Sequence, residues 1–270
     1  MANSINGKVI WLTGASSGIG EALAYELAAK GAKLILSARR KEELERVKGN
    51  CPIQQQQDIR ILPLDLTAST TLKLSTEAAI QFFGHVDILI NNGGISQRSF
   101  AKDTLIDVDR RVMEVNFFGA VSLTKHLLPH FLQRKHGHIV TVSSVTGIFG
   151  TPFRSAYAAS KHALHGFFDS LRAELFKDAG EAITVTMVCP GFIHTPITLS
   201  AVTGDGSPLG KMDEGQYKGK SAQWCARKIV KAIESKKEEV YIGGKEVLGV
   251  WFKRFLPRLF SKYIRNAAVR

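Results

Sequence analysis

The chain has 270 residues, of which 44% are hydrophobic and 22% are charged, and its formal net charge is +12. This length and composition fit one large globular domain with a full core, and they exclude a low-complexity chain. Three widely spaced cysteines, Cys51, Cys189 and Cys225, form neither a disulfide framework nor a zinc motif, which favours a reducing, intracellular environment.

Apolar runs alternate with helix-like segments along most of the chain. In chain order, we predict strands at 8–13, 33–37, 60–64, 86–91, 138–143, 183–188 and 239–242. We predict helices at 19–30, 41–48, 107–133, 156–177 and 221–235, and a further helical stretch that follows the third strand and ends at residue 83. Near-continuous β-branched runs between helices are typical of a parallel sheet that is buried on both faces. The pattern therefore predicts an α/β fold with a doubly wound, Rossmann-type parallel sheet of about seven strands in a single domain.

One segment breaks this alternation. Residues 195–220 are rich in Gly, Ser, Thr and Pro, and they follow the sixth predicted strand. A connection of this length in a compact domain is usually a lid, a binding loop or a disordered segment, and open α/β sheets bind ligands at the carboxyl ends of strands. We therefore predict a Rossmann-type domain at 1–247, with a substrate loop at 195–220, and a tail at 248–270.

The tail is basic and aromatic. It contains six basic residues and no acidic one: Lys253, Arg254, Arg258, Lys262, Arg265 and Arg270. Its apolar residues recur with helical spacing, and two interpretations stay open. The tail contacts an anionic membrane surface, or it covers the substrate pocket or a partner subunit. We favour the second, because apolar segments at the end of a domain more often pack than insert.

Partners and location are restricted by the ends of the chain and by its charge. Residues 1–8 are too short and too polar for a signal peptide, and no apolar run reaches the length of a membrane span. No nucleic-acid reading motif accompanies the positive charge, so we expect no nucleic-acid partner. These features predict a cytoplasmic protein, with peripheral membrane contact through 248–270 as the open alternative.

A glycine-rich turn lies between the first predicted strand and the first predicted helix. Its spacing, Gly14-x-x-x-Gly18-x-Gly20, allows a tight turn and a close approach of backbone to a pyrophosphate. The helix that follows offers free N–H groups and a partial positive charge to the phosphates. We predict a dinucleotide site here, with the members Gly14, Ser16, Ser17, Gly18, Ile19 and Gly20.

Two arginines indicate which dinucleotide to expect. A site for NAD places a carboxylate about 20 residues beyond the glycines, where it binds the ribose 2′-hydroxyl. This chain has Arg39 and Arg40 at that point, and no carboxylate before Glu42. Because a guanidinium binds a phosphate that a carboxylate would repel, Arg39, and Arg40 after it, predict NADP(H). The alternative is that both are solvated charges at the start of a helix.

The ends of the third and fourth predicted strands add to this site. Asp65, which Leu66 follows, is expected either to accept a hydrogen bond from the adenine amino group or to cap the next helix with Thr67. Asn91 and Gly93 belong to a stretch of small residues that lets the backbone approach the adenosine ribose. We include Asp65, Leu66, Asn91 and Gly93 in the predicted cofactor site.

Four further residues predict acid–base chemistry. Tyr157 and Lys161 lie four apart at the start of a predicted helix, so they share one face. A nearby ammonium group favours the phenolate and lowers the pKa of a tyrosine toward the working range. Ser144 follows the fifth strand and is placed to bond a substrate oxygen. Asn116 is an unfavourable residue for a helix interior, which a functional role explains.

Together these residues resemble the short-chain dehydrogenase/reductase family. The resemblance runs from about residue 7 to about residue 243, in order and at family spacing. It departs at Gly93, where the family usually has alanine, and a smaller residue preserves the backbone approach. The residues that carry it are Thr13, Gly14, Gly18, Gly20, Asp65, Asn91, Asn92, Gly93, Gly94, Asn116, Ser144, Tyr157, Lys161, Pro190, Gly191 and Thr195.

The resemblance implies an enzyme that moves a hydride between NADP(H) and a hydrophobic ketone, aldehyde or secondary alcohol, as a homodimer or homotetramer. It implies that Tyr157 is the acid/base, that Lys161 also binds the nicotinamide ribose, and that Ser144 polarises the carbonyl. Asn116 would hold a water in a proton relay. The segment 91–99 looks most like hydroxysteroid and retinoid reductases. The implied cofactor residues at the nicotinamide are Tyr157, Lys161, Pro190, Gly191, Ile193 and Thr195.

Two other kinds of function were weighed against this one. Histidines at 126 and 130 and at 162 and 165 have helical spacing, but neither pair comes with a complete ligand set, so we predict no metal site. A cofactor-binding regulatory protein or a membrane-docked interaction protein on the same fold is the alternative to an enzyme. The set Asn116, Ser144, Tyr157 and Lys161 favours the enzyme, because a binding module needs none of them.

Overall fold

A seven-stranded, all-parallel sheet lies at the centre of the protein, and its strand order is β3-β2-β1-β4-β5-β6-β9. The computed structural model describes residues 4–266; residues 1–3 and 267–270, which include Arg270 of the predicted tail, lie outside the described part. The strands are β1 (Val9–Thr13), β2 (Lys33–Ser37), β3 (Ile59–Ile61), β4 (Ile88–Asn91), β5 (Gly137–Val142), β6 (Ile183–Pro190) and β9 (Glu239–Ile242), with a separate pair β7 (Ile193–His194) and β8 (Lys220–Ser221).

Helices cover both faces of this sheet. They are α1 (Gly18–Ala29), α2 (Lys41–Gly49), α3 (Ser69–Phe83), α4 (Ile106–Met113), α5 (Gly119–Arg134), α6 (Ser155–Ala179), α7 (Glu214–Tyr217), α8 (Ala222–Glu234), α9 (Leu248–Phe255) and α10 (Pro257–Arg265). The predicted doubly wound α/β fold is therefore confirmed, and so is the single domain.

Alternation along the strands builds two apolar layers. Ile10 and Leu12 face one side of β1, where α1, α2 and α8 pack, whereas Val9 and Trp11 face the other side, where α3, α5 and α6 pack. Successive side chains of a strand point to opposite faces, so both sides of a fully buried strand must be apolar. The indole N–H of Trp11 is satisfied by Ser37 Oγ at 2.9 Å. This explains why the strands read as continuous apolar runs.

The position of the site follows from the strand order. β1 pairs with β2 on one side and with β4 on the other, so the direction of winding reverses beside β1. Chain segments that leave the carboxyl ends of strands at such a point diverge and leave a crevice between them. The glycine turn after β1 and the loop after β4 border this crevice.

Two predicted elements differ from the observed ones. β3 ends at Ile61 rather than at residue 64, although Leu62 N and Leu64 N still donate to Leu36 O at 2.9 Å and to Ala38 O at 3.0 Å. The single helix predicted at 107–133 is instead α4 and α5, joined by a π-helical turn at Glu114–Phe118. This turn contains Asn116, and π-helical turns occur frequently at functional sites.

The predicted loop at 195–220 has more order than its composition suggested. Its ends pair through β7 and β8, and α7 lies between them. Backbone hydrogen bonds also join it to the loop after β4, since Val202 N donates to Ser96 O at 2.9 Å and Arg98 N donates to Val202 O at 2.8 Å. We call residues 195–220 the lid from here on.

The tail forms α9 and α10, and one side of it packs on the protein. Val250 and Phe260 are buried against Val145 and Phe149, which follow β5. Among the described residues, no helix is both long and apolar enough to span a membrane. The tail therefore packs on the turn after Ser144 rather than over the mouth of a pocket, and its contact with a partner subunit or a membrane stays a prediction.

Candidate active site

A cleft of about 470 Å³ opens at the carboxyl ends of β1, β2, β4, β5 and β6. Most residues predicted for the site line it. From the predicted set these are Gly14, Ser16, Ser17, Gly18, Ile19, Arg39, Arg40, Asp65, Leu66, Gly93, Ser144, Tyr157, Lys161, Pro190, Gly191, Ile193 and Thr195. A volume in this range suits a small molecule or cofactor.

The glycine turn forms a cradle that side chains would fill. Gly14 has φ +65°, and a Cβ on it would come within 2.7 Å of Gly93 Cα. Gly18 has φ +59° and faces Thr195. Asn92 Nδ2 holds the turn by donating to Thr13 O at 3.1 Å and to Gly14 O at 3.2 Å. These contacts leave room for a close approach to backbone, as a phosphate group requires.

The first turn of α1 leaves its N–H groups free for a ligand. Ser17 is the N-cap residue, and its side chain makes no capping hydrogen bond. The first N–H groups of a helix lack partners within it, and together with the helix dipole they favour an anion. The cradle and the uncapped helix end therefore fit the pyrophosphate of a dinucleotide.

Positive charge surrounds the part of the cleft next to the carboxyl end of β2. Arg39 and Arg40 are exposed and line it, as predicted, and Arg111 of α4 joins them. Arg111 was missed because nothing in the sequence places the end of α4 beside the end of β2. Asp65 is the one acidic side chain among the described residues that line the cleft.

Asp65 uses part of its carboxylate locally. Its Oδ1 accepts hydrogen bonds from Thr67 N at 2.9 Å and from Thr67 Oγ1 at 2.8 Å. Burial alone would raise the pKa of Asp65, but these bonds and the charges of Arg39 and Arg111 hold it below its ordinary value. One carboxylate oxygen of Asp65 therefore caps the turn at Thr67, as the capping alternative predicted, and the residue also lines the cleft.

Three predicted residues do not line the cleft. Asn91 points into the core, where its Nδ2 donates to Thr124 Oγ1 at 3.0 Å, and its neighbour Asn92 lines the cleft instead. Side chains alternate along β4, so only one of the two asparagines can face the cleft. Gly20 serves packing, because a Cβ there would lie 2.0 Å from Gly14 O. Asn116, the third, lies behind the cleft.

Asn116 joins the loop after β4 to α6. Its Oδ1 accepts from Ile95 N at 2.8 Å, and its Nδ2 donates to Ile95 O and to Ser160 Oγ, both at 2.9 Å. Asn116 is only 1% exposed, so water does not compete for these hydrogen bonds. In this geometry its side chain positions the loop and the helix that carries Tyr157.

The three remaining catalytic candidates meet in the cleft. Ser144 follows β5, and its Oγ donates to Pro190 O at 3.3 Å and accepts from Thr146 N at 3.2 Å. Tyr157 lies in the first turn of α6, and Lys161 lies one turn further on. β5 and α6 therefore bring a hydroxyl, a phenol and an amine to one wall of the cleft.

Lys161 is buried and held by the backbone. Its Nζ donates to Val142 O at 2.8 Å and lies 5.7 Å from the centre of the Tyr157 ring. Burial disfavours its charged form and lowers its pKa to about 8.

Several groups act on the pKa of Tyr157. Many protein atoms surround it, and this burial raises its pKa, while the charges of Arg154 and Arg98 and the neighbouring Ser144 hydroxyl oppose the rise. That Lys161 lowers this pKa stays a prediction.

The lid supplies cleft residues that sequence reasoning did not single out. They are Pro196, Ile197, Ser200, Val202 and Gln216. Most are small or apolar, and the composition of a loop does not indicate which of its side chains turn inward. These residues, with Ile95 and Val115, make this side of the cleft largely apolar.

His165 forms a cluster outside the cleft. Its Nε2 lies 3.6 Å from Cys189 Sγ, which lies 3.8 Å from Glu239 Oε1. Burial, with the Glu239 carboxylate adding to it, raises the pKa of the Cys189 thiol well above its ordinary value. A neutral thiol acts here as a weak hydrogen-bond donor between strand and helix.

Comparison with known proteins identifies a consistent set of relatives. The family description "short chain dehydrogenase" matches residues 8–205. Dehydrogenase/reductase SDR family protein 7-like of Anopheles gambiae is 45% identical over 99% of this chain and 85% of that protein. Human Dehydrogenase/reductase SDR family member 7 is 45% identical over 90% of this chain and 72% of that protein. A short chain dehydrogenase/reductase from Burkholderia phymatum, in complex with NAD, has a similar fold, with TM-score 0.82 over 95% of this chain and 96% of that chain at 24% identity.

Proposed function

Because the chain belongs to the short-chain dehydrogenase/reductase family, whose members are oxidoreductases that use nicotinamide cofactors, we propose that it interconverts a carbonyl and an alcohol with NADP(H). The observation that carries the proposal is the meeting of Ser144, Tyr157 and Lys161 in the cleft that also holds the glycine turn. A protein that only binds a cofactor does not need this arrangement.

The bound cofactor supplies or accepts the hydride. In reduction, Tyr157 gives its hydroxyl proton to the carbonyl oxygen, and Ser144 Oγ holds that oxygen by a hydrogen bond. Lys161 of α6, held by its bond to Val142 O at the end of β5, would hold the nicotinamide ribose, and Asn116 keeps the loop after β4 and α6 in register. The residues Pro190, Gly191, Ile193 and Thr195 would border the nicotinamide end.

Charge near the adenosine end supports NADP(H) over NAD. Arg39 and Arg40 follow β2, Arg111 lines the same part of the cleft, and Asp65 is the only carboxylate among the described residues that line it. A 2′-phosphate gains charge-assisted hydrogen bonds from guanidinium groups. Asp65 follows β3 rather than β2, so it does not stand where an NAD site places its carboxylate.

The shape of the substrate side supports a hydrophobic ketone, aldehyde or secondary alcohol. Ile95, Ile197 and Val202 offer apolar surface there, and Ser200 and Gln216 offer few polar groups. A screen of NADPH oxidation over varied ketones and aldehydes, with NADH in parallel, tests this proposal. We expect turnover of apolar carbonyls with NADPH. Tight NADPH binding without turnover of any carbonyl would favour a regulatory binding protein, and preference for NADH would contradict the role of Arg39.

A second role belongs to the outer face of the tail, which we call the tail face. Its large apolar residues are each more than half exposed: Leu248, Trp251, Phe255, Leu256, Leu259 and Tyr263. Exposed basic residues flank them without any acidic one: Arg254, Arg258, Lys262 and Arg265. Lys253 is instead turned inward, where its Nζ donates to Ile148 O. An amphipathic helical surface with aromatic and basic residues suits the interface of an anionic membrane.

We therefore propose that the tail face makes peripheral contact with an anionic membrane. Pairing of two tail faces across a twofold axis would bring like charges together, which argues against self-association here. Truncation would expose Val145 and Phe149, so point variants are the better test. We expect the full chain to float with vesicles that contain phosphatidylserine, and less with phosphatidylcholine alone. The variant Trp251→Ala, Phe255→Ala should lose flotation, whereas Phe176→Ala on α6 should keep it; equal flotation of all three proteins would overturn the proposal.

Relatives in this family generally act as oligomers, and we propose a homodimer or homotetramer for this chain. Phe118 and Phe176 are half or more exposed and lie outside the tail face, so they offer apolar surface for assembly. Light scattering of the purified chain is expected to give two or four times the mass of 29.6 kDa. A single-chain mass at micromolar concentration would contradict this.

A further inference from the structure

Three charged side chains are buried together beside Tyr157. Asp213 of the lid accepts a hydrogen bond from Arg98 Nη2 at 2.9 Å and from Arg154 Nη2 at 2.5 Å. The side chains of Arg98, Asp213 and Arg154 are 10%, 8% and 6% exposed. They come from three parts of the chain: the loop after β4, the lid, and the residue that precedes α6.

Each member is held by further contacts. Arg98 Nη1 donates to Ser96 Oγ at 2.8 Å and to Gln97 O at 3.0 Å. Asp213 caps α7, since its Oδ1 accepts from Gln216 N at 2.8 Å. These bonds fix the charges in place, so their field at Tyr157 has a constant direction while the lid is closed.

The group carries an excess of positive charge. Two guanidinium ions share one carboxylate, which leaves one net positive charge. The Nε atoms of Arg98 and Arg154 are both buried and make no hydrogen bond with the described residues. Burying a net charge costs free energy, so we expect this charge to have a function near Tyr157.

The cations near Tyr157 have different partners. The Lys161 ammonium, on the same helix, donates to Val142 O, and its role toward Tyr157 belongs to the proposed function. Arg154 directly precedes α6, whose first turn holds Tyr157, and the charges of Arg154 and Arg98 oppose the burial that raises the Tyr157 pKa. Asp213 is the carboxylate that faces both of them.

We infer that Arg98 and Arg154 are positioning residues that stabilise the phenolate of Tyr157, and that Asp213 on the lid sets how much of their charge reaches it. The inference rests on the proposed function, in which Tyr157 transfers a proton. When that proton leaves for the substrate oxygen, a negative charge remains on the Tyr157 oxygen. A fixed positive charge in a water-poor site stabilises it with little reorganisation.

A purely structural role makes a different prediction. If the group only fastens the lid, loss of any member should loosen the lid and raise the substrate KM, while the pKa of Tyr157 stays unchanged. The electrostatic role instead requires shifts of opposite sign. Loss of an arginine removes positive charge and raises the pKa of Tyr157, whereas loss of the Asp213 charge lowers it.

The test is a titration of tyrosinate absorbance in the full-length protein, with the Tyr157→Phe signal subtracted, together with the pH profile of kcat/KM. We expect Arg154→Gln and Arg98→Gln to raise the pKa of Tyr157 by about one pH unit, and Asp213→Asn to lower it by about as much. Asp205→Asn is the matched control, because Asp205 is a lid aspartate whose side chain accepts hydrogen bonds, within residues 4–266, from Thr203 and Ser207. It should leave the pKa unchanged.

Arg154→Lys and Arg98→Lys keep the positive charge, so they should leave the pKa of Tyr157 at its wild-type value. They control for an effect of misfolding in the glutamine variants. Shifts of the same sign in all three neutralising variants, or no shift, would overturn the inference. The absorbance titration does not depend on turnover, so its outcome separates the two proposals. Opposite shifts in a protein whose Tyr157→Phe variant remains active would uphold the electrostatics and overturn the proposed function instead.

Discussion

Lys161 donates a hydrogen bond from Nζ to the main-chain carbonyl oxygen of Val142, 2.8 Å away. Val142 is the last residue of β5, and Ser144 follows two residues later. The bond therefore ties the helix that carries Tyr157 to the strand that delivers Ser144. Two elements far apart in sequence thus set the relative positions of the catalytic candidates, and the following predictions test parts of that arrangement.

Arg39 is expected to govern the choice of cofactor. Hydrogen bonds to a charged group contribute about 1.5–3 kcal/mol, so Arg39→Ala should raise the KM for NADPH roughly tenfold to a hundredfold and leave the KM for NADH nearly unchanged. Steady-state kinetics with both cofactors measure this. Lys41→Ala is the control, because Lys41 begins α2 without lining the cleft. Equal changes for both cofactors would contradict a specific contact with the 2′-phosphate.

Gly14 should be irreplaceable, unlike a glycine in open space. Gly14→Ala puts a Cβ at positive φ and 2.7 Å from Gly93 Cα, so we expect a loss of about 1–3 kcal/mol in stability and weaker NADPH binding. Gly49, the last residue of α2, has free space around it, and Gly49→Ala should add about 0.5–1 kcal/mol. Urea unfolding of both variants provides the measurement. Similar effects at the two sites would show that the cradle is not constrained as described.

His138 should make the protein sensitive to acid. Its Nε2 lies 2.8 Å from Thr186 Oγ1, and burial lowers its pKa from 6.5 to about 4. Between these two values the unfolded chain holds a proton that the folded protein does not, so stability is fully present above pH 6.5 and falls as the pH drops toward 4. The contribution lost across this window is about 3 kcal/mol, at about 1.4 kcal/mol per pH unit.

The variant His138→Gln removes this titration, so its stability should fall less across that window than the wild type's. Urea unfolding at neutral pH and at points inside the window measures the difference. His162→Gln serves as the control, because His162 is an exposed histidine on α6. If His138→Gln and the wild type lose stability in parallel, the buried histidine is not the cause.

Patterns that are local in sequence predicted most of the fold. The strands were recognisable because each is buried on both faces, and Lys33–Ser37 and Glu239–Ile242 occur where they were expected. The π-helical turn around Asn116 was not foreseen, because it depends on the hydrogen bonds that Asn116 makes with Ile95 and Ser160. Such partners become neighbours only after folding.

The same distinction holds for the site. The glycine turn, Tyr157 and Lys161 lie within short motifs, and Ser144 falls just after a recognisable strand, so the sequence was enough to predict them. Arg111 comes from another segment, and its place in the cleft depends on tertiary packing. The buried group of Arg98, Arg154 and Asp213 spans more than a hundred residues of sequence, and no spacing rule connects its members. The choice between Asn91 and Asn92 depended on strand register, which a run of polar residues does not reveal.

The most direct test of the account is the turnover of Tyr157→Phe with NADPH and a carbonyl substrate. The change removes one oxygen from the wall of the cleft and leaves the glycine turn and the arginines intact. We expect kcat to fall roughly 10²–10⁴-fold while NADPH still binds with unchanged affinity. Tyr25→Phe, which loses bonds to Glu21 and Asn50 outside the cleft, should keep full activity. Wild-type turnover in the Tyr157→Phe protein would contradict the assignment of Tyr157 as the proton donor.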